Sequence, residues 1–157
     1  MPRNAAAPMP PAAPAMLFDP RAQASYRQLT PVGIRFADLD TLGHVNNIAI
    51  NVYVEQARVM FWHPLLARFG AENIDTVVMR VAVDYLAELK FPGDVLVGAR
   101  LARIGTKSMV LMNPVFRDGQ CHALGECVIA LFDKVARRTV APPPEFRAEL
   151  ERLMREG

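Results

Sequence analysis

The sequence predicts an α+β domain in which one antiparallel sheet wraps around a single buried helix. Three observations carry that expectation. A helical stretch in the first half of the chain is apolar nearly all round, the mark of a helix enclosed by other elements rather than laid on a surface. Four strand-like segments then follow one another through short connections. No strand–helix–strand alternation repeats, which argues against a doubly wound parallel sheet.

The chain opens on a stretch dominated by Ala and Pro, in which Pro8, Pro10, Pro11 and Pro14 interrupt any apolar core of an export signal. Residues 1–24 are therefore expected to form a disordered tail, and residues 25–157 the folded domain. Residues 26–37 read as a first strand that ends near Asp38-Leu39-Asp40. Residues 41–47 are rich in turn formers and helix caps. A helix is expected over about 51–63, with Val52, Val54, Ala57, Val59, Met60, Phe61 and Trp62 supplying its apolar surface. Asn51, Glu55 and Arg58 are its polar exceptions and form one narrow stripe. Pro64 is expected to bend or restart the helix, and Gly70 to end it.

The remainder reads mostly as strand. Residues 76–86 alternate, with Val77, Met79, Val81, Val83 and Tyr85 on one face. Phe91-Pro92-Gly93-Asp94 is a turn, 95–104 a strand, Gly105-Thr106-Lys107 a second turn and 108–117 a further strand. Asp118-Gly119 signals a hairpin into a last long strand over 121–133. Pro142-Pro143-Pro144 introduces a short amphipathic helix, with Phe146, Leu150 and Leu153 on one side. A lone sheet around a lone helix leaves an edge uncovered, so a homodimer, or a tetramer of such dimers, is expected.

Composition narrows the function. The chain has 157 residues, enough for one domain with a real core, and its net charge is only +2. With no basic stripe carrying interleaved aromatics, nucleic acid is not an expected partner. No apolar run approaches membrane-spanning length, so no membrane is expected either. Cys121 and Cys127 lie six apart in one predicted strand, too far along it for a disulfide. Two reduced thiols fit the cytoplasm. No zinc motif is visible, and no metal is expected.

The sharpest local signal is the run from Arg35 to Asn47, a strand passing through a tight turn into a helix start. The first amides of a helix lack internal partners and carry partial positive charge. A substrate carbonyl set there finds donors that strengthen as its oxygen becomes anionic. Gly43 permits the reversal and lets a ligand approach closely. A carboxylate at Asp40 would stand beside that carbonyl, able to attack it or to deprotonate a water. The residues alone allow a plainer alternative, in which Asp38 and Asp40 only cap the turn.

Asp38-Leu39-Asp40, Gly43-His44-Val45-Asn46-Asn47, and then Tyr53, Glu55, Ala57 and Arg58 resemble the signature of the 4-hydroxybenzoyl-CoA thioesterase-like acyl-CoA thioesterases. The resemblance continues through Val83-Asp84-Tyr85-Leu86, Phe91-Pro92-Gly93-Asp94 and Ile104-Gly105-Thr106-Lys107-Ser108, and covers nearly everything after the tail. It implies the hot dog fold. It also implies hydrolysis of an acyl-CoA to free acid and CoA, with water as second substrate and no cofactor beyond the CoA of the substrate itself. The family's catalytic Asp maps onto Asp40, and its carbonyl-polarising backbone N–H maps near Asn47. The motif leaves open whether the carboxylate is nucleophile or general base. The sequence departs from the pattern at Ile50, where many relatives carry an aromatic residue, usually Tyr, and at Asn51.

Other candidates have both a functional and a structural reading. His44 can assist as a proton donor or simply bond the turn's backbone, and Asn46 reads as a cap. Glu55 corresponds to the catalytic acid of a second branch of hot dog thioesterases, but Arg58 at i+3 suggests an ion pair inside the sheet wrapper. Tyr85 and Asp84 fall where relatives line the cleft from the partner subunit. Arg103 and Lys107 flank a turn near which some relatives hold CoA phosphates. His63 and His122 have no metal-ligand spacing. Two further functions share the fold: a non-hydrolytic module that binds acyl-CoA or an acyl carrier protein, and a hydratase or dehydratase. The latter needs a His with a carboxylate beside the acyl chain, and no Asp-x-Asn-Pro-x-His segment appears.

Overall fold

The computed structural model describes residues 16–157. Most of the expected tail, residues 1–15, lies outside the described residues. Residues 16–24 run against the sheet: Phe18 packs edge-on to Tyr26 and lies under the Arg100 guanidinium. Seven strands and two α-helices follow: β1 (Leu29–Gly33), α1 (Asn47–Phe69), β2 (Ile74–Tyr85), β3 (Asp94–Gly98), β4 (Arg100–Ile104), β5 (Ser108–Arg117), β6 (Gln120–Asp133), β7 (Arg138–Val140) and α2 (Pro144–Glu156). They form one sheet in the order β1-β3-β5-β6-β2, with β4 beside β5 and β7 beside β6. Every pairing is antiparallel.

The sheet curls around α1, the architecture the sequence predicts. Ala49, Tyr53, Ala57, Phe61 and Leu65 recur every fourth residue and are buried against it. Close approach depends on Gly125 in β6. A Cβ there would meet the Asn113 carbonyl at 2.9 Å and the Val54 methyls at 3.2 Å. A glycine is the residue that lets the helix lie this low on the sheet.

Several boundaries differ from expectation for local reasons. The first strand is only five residues long, because Phe36–Asp38 closes a 3-10 turn on the Asp38 carboxylate. The helix starts at Asn47 rather than near 51, since Asn46 caps it through the Ile48 N–H at 2.8 Å. It also runs through Pro64 to Phe69. Pro64 and Met60, whose carbonyl loses its helical partner, both lie on the exposed face, where water can replace the bond. The single strand expected over 95–104 breaks at Ala99. Pro114 brings no N–H to the ladder there, and the Asn113 side chain donates to the Gly98 carbonyl instead, at 2.9 Å. A bulge between Val78 and Arg80 shifts the phase of β2, so Val77 to Tyr85 do not share one face. β7 has no counterpart among the expected strands.

Nor is α1 enclosed all round. Ile48, Val52, Val59 and Met60 are exposed on its outer side, beside an exposed β2 edge. The polar stripe is corrected too: Glu55 is 63% exposed and stands 3.9 Å from Arg58, so the ion pair is not inside the wrapper. Arg58 turns inward, reaching the Cys127 sulfur at 3.7 Å. Cys121 and Cys127 are both free thiols. Among the described residues no helix is long and apolar enough to cross a membrane.

Candidate active site

The turn from Asp38 to Asn47 is built on two carboxylates with different tasks. Asp38 is buried, and its oxygens accept from Arg35 Nη2 at 2.7 Å, Arg35 N at 2.9 Å and the Tyr53 hydroxyl at 2.5 Å. Burial alone would raise its carboxyl, but the bonds from Arg35 and Tyr53 outweigh it and hold the group at about 2. Tyr53, in α1, is pushed upward by burial and by the same carboxylate. The Asp38 carbonyl also accepts the Asn46 N–H at 2.8 Å, fixing where α1 begins. Asp38 is thus the structural member of the pair.

Asp40 sits two residues on, where the chain reverses. Its N–H donates to the His44 carbonyl, and its own carbonyl accepts from Gly43, which adopts φ +77°. One carboxylate oxygen, Oδ1, accepts from Leu42 N at 2.8 Å and His44 N at 3.1 Å. The other accepts no hydrogen bond among the described residues. The side chain is therefore held by one oxygen and leaves the second available. A Cβ at Gly43 would meet nothing within 4 Å, so that side of the turn is open to a ligand.

Asp40, His44, Val45, Asn47, Ile50 and Tyr85, together with residues 86–89, line a cleft of about 300 Å³. Asn47 is the first residue of α1, and its amide donates to no group among the described residues. The helix dipole adds partial positive charge at that point. A larger hollow of about 470 Å³ lies between β1, β4 and the end of α2, but none of the candidate residues lines it. Chemistry, not size, selects the smaller cleft.

The structure brings Asp40, Gly43, His44, Asn47 and Tyr85 together within one chain. Tyr85 lines the cleft of its own subunit, where its hydroxyl takes a hydrogen bond from Asn51 Nδ2 at 2.8 Å. The His44 ring reaches Glu88 Oε2 at 3.2 Å, and Lys90 shares that carboxylate at 3.5 Å. The His44 ring therefore engages a second carboxylate in the cleft rather than the turn's backbone, and His44 joins the turn only through its own N–H and carbonyl. Glu88 is not singled out by the sequence: it is 44 residues from His44, in a loop with no motif of its own. His122 points its Nδ1 at the Glu88 carbonyl, at 2.8 Å.

Arg103 and Lys107 are not part of this grouping. The β4–β5 turn meets β6 at Ala130, whereas the cleft meets it at Ala123. Seven residues of strand put them roughly 20 Å apart. Among the described residues there is no group of three or more His, Cys, Asp or Glu side chains placed to hold a metal ion.

A sheet curled around one long helix, with an acidic turn at that helix's start, defines a hot dog protein of the thioesterase kind. The family profile described as the Thioesterase-like superfamily matches residues 34–150, and the chain belongs to that superfamily. Among solved structures it resembles the PA5185 protein of Pseudomonas aeruginosa PAO1, with a TM-score of 0.73 and 27% identity over 85% of this chain and 95% of that one. It also resembles a thioesterase of Thermus thermophilus in complex with coenzyme A and Zn, with a TM-score of 0.68 and 29% identity over 80% and 98% of the two chains. The uncharacterized protein YsmA of Bacillus subtilis is 25% identical over 104 residues. That match spans 66% of this chain and 64% of YsmA.

Proposed function

We propose that this protein hydrolyses acyl-CoA thioesters to a free acid and CoA, with Asp40 as the catalytic carboxylate and the Asn47 amide as the carbonyl's donor. One observation carries the reading: a carboxylate with an unclaimed oxygen and a helix-start amide with no acceptor line the same cleft. As general base, Asp40 takes a proton from water while the oxygen adds to the thioester carbon. The oxyanion accepts the Asn47 N–H, the C–S bond breaks, and the thiolate recovers the proton from Asp40. As nucleophile, the carboxylate itself adds and expels the thiolate, and water opens the resulting anhydride. Each route consumes one water and needs no other reagent. Gly43 supplies the open approach, and His44, tied to Glu88, stands at hand as an auxiliary proton donor.

Coenzyme A as the carrier is supported by the Thermus thioesterase, which holds it. The reading also includes a second copy of the chain. β2 is an edge strand with exposed Val77, Val78, Met79 and Val81, and the outer side of α1 continues that apolar surface. Antiparallel pairing of β2 with its symmetry mate extends the sheet and covers both. It also turns the partner's β4–β5 end toward the cleft, so that the partner's Arg103 and the partner's Lys107 can meet the CoA phosphates. The two free thiols fit a cytoplasmic location.

A non-hydrolytic binding module is the second reading, favoured by the engagement of Asp40 Oδ1 with two amides of its own turn. Turnover separates the two. Purified protein offered a panel of acyl-CoAs with a thiol-reactive dye is expected to release one CoA per acid formed, over many turnovers. Tight binding of the same esters without release supports the module instead.

A further inference from the structure

Strand β5 is buried on both of its faces, without a gap from Met109 to Phe116. Side chains alternate along a strand, so the two faces meet different neighbours. Met109, Leu111 and Val115 belong to the core under α1, whereas Val110, Met112 and Phe116 form a second apolar cluster with Tyr26 on the outer face. Leu96 of β3, Ala102 of β4, and Leu124 and Val128 of β6 pack against that cluster. An antiparallel sheet commonly leaves its outer face polar and wet. Here the outer face is apolar, and residues 16–26 lie across it as a strap.

The strap is fastened at several points. Tyr26 is buried and stands edge-on to both Phe18 and Phe116, with ring centroids 5.8 Å apart in each pair. Its hydroxyl donates to the Pro20 carbonyl at 2.8 Å and closes the strap on itself. The Arg100 guanidinium lies 4.0 Å over the Phe18 ring and donates to the Ser25 carbonyl at 2.7 Å. Gly98 makes the room, since a Cβ there would meet the Tyr26 ring at 2.8 Å. The strap lies ahead of residues 34–150, the part that places the chain in its superfamily.

Without the strap, an apolar sheet surface would meet water, the kind of surface that marks an association site. Sheet faces pack on one another about 10 Å apart, and two copies of one face meet about a two-fold axis. No net charge opposes that contact on β6, because Glu126, between Leu124 and Val128, is paired with Arg80. We propose that residues 16–26 are an assembly stop: they occupy the outer face of the sheet, hold the protein at the dimer formed through β2, and when released open that face to the same face of a second copy.

The full chain is expected to sediment as no more than a dimer at micromolar concentration. Phe18→Ser with Arg100→Met removes two grips on the strap, and Gly98→Ala drives a methyl into the Tyr26 ring from the sheet side. Hydrogen exchange over residues 16–26, read by mass spectrometry, reports release as a rise of about tenfold or more in rate. In whichever variant the strap is released, the sedimenting mass is expected to double. Val128→Lys, which sets a charge on the outer face, should then return it to that of the full chain. A released strap with no change of mass would overturn the inference, as would a full chain larger than a dimer. Aggregation that Val128→Lys does not reverse marks unfolding rather than pairing, and overturns it as well. A strap that exchanges no faster in either variant is core and not cover, with the same consequence. No ester enters the experiment, so its outcome is independent of the thioesterase reading.

Discussion

Two aspartates separated by one residue stand in different surroundings, and the proposed division of roles between them rests on that difference. Asp38 is buried and bonded on both oxygens by Arg35 and Tyr53, while Asp40 keeps one oxygen free in the cleft. Because the folded Asp38 titrates at about 2 rather than at its ordinary 3.8, it contributes stability that is fully present above pH 3.8 and is lost as pH falls through about 2. That difference amounts to roughly 2 kcal/mol. Tyr53→Phe removes one of the bonds to the charged carboxylate and should cost about 1.5–3 kcal/mol at pH 7. Urea unfolding at pH 7 and at pH 2 checks this: the penalty should shrink at the lower pH, where Asp38 begins to protonate. An equal penalty at both would mean that the bond does not serve the charge. The Asp-x-Asp run with Gly43 and Asn47 was legible in the sequence because turn, cap and helix start are local features. Tyr53 on Asp38, Asn51 on Tyr85 and Glu88 on His44 were not. Two of those three pairs join residues more than thirty positions apart, and the first depends on which helix face meets the turn.

At the scale of elements, α1 and the sheet meet at Gly125. Gly125→Ala would set a methyl against the Asn113 carbonyl, which is backbone and cannot step aside. A loss of about 1–3 kcal/mol is expected, read as a lower urea midpoint. An unchanged midpoint would show that the helix floats above the strand. The helix's start also serves the proposed chemistry, since Asn46 satisfies the Ile48 amide and leaves that of Asn47 without an acceptor among the described residues. Asn46→Ala should cost about 1 kcal/mol of stability. Apolar pattern located α1, and Gly70 ends it as the sequence predicts. The start was misjudged, because the cap ahead of Asn47 was stronger than the polar run suggested. Pro64 did not restart the chain as a second helix, because it fell on the one face where a missing bond is cheap. The break at Ala99 depended on Pro114 across the sheet, a neighbour that no local pattern in residues 95–104 reveals.

For the whole molecule, the proposed pairing of two copies rests on the edge strand β2 and the outer side of α1. The sequence carried the fold and the need to cover an edge, but not which surface would be uncovered, because α1 read as apolar all round. Val81→Lys on the exposed part of β2 should shift the protein in sedimentation from dimer to monomer while the far-ultraviolet circular dichroism stays the same. If the shift occurs, activity should fall with it where the partner's Arg103 and the partner's Lys107 serve the CoA phosphates. Arg103→Ala with Lys107→Ala should then raise KM for acyl-CoA, but not for the same acyl group on a short thiol such as N-acetylcysteamine. A dimer that survives Val81→Lys would place the interface elsewhere.

The most direct measurement is the turnover of Asp40→Asn on the best acyl-CoA of the panel, with Glu55→Gln measured beside it. Asparagine keeps an oxygen for the Leu42 and His44 amides, so the turn is retained and only the charge is removed. A fall in kcat of about 10²–10⁴, with an unchanged melting temperature and a near-normal Glu55→Gln, is the result this account predicts. Turnover within a few-fold of the wild type in folded Asp40→Asn would contradict it.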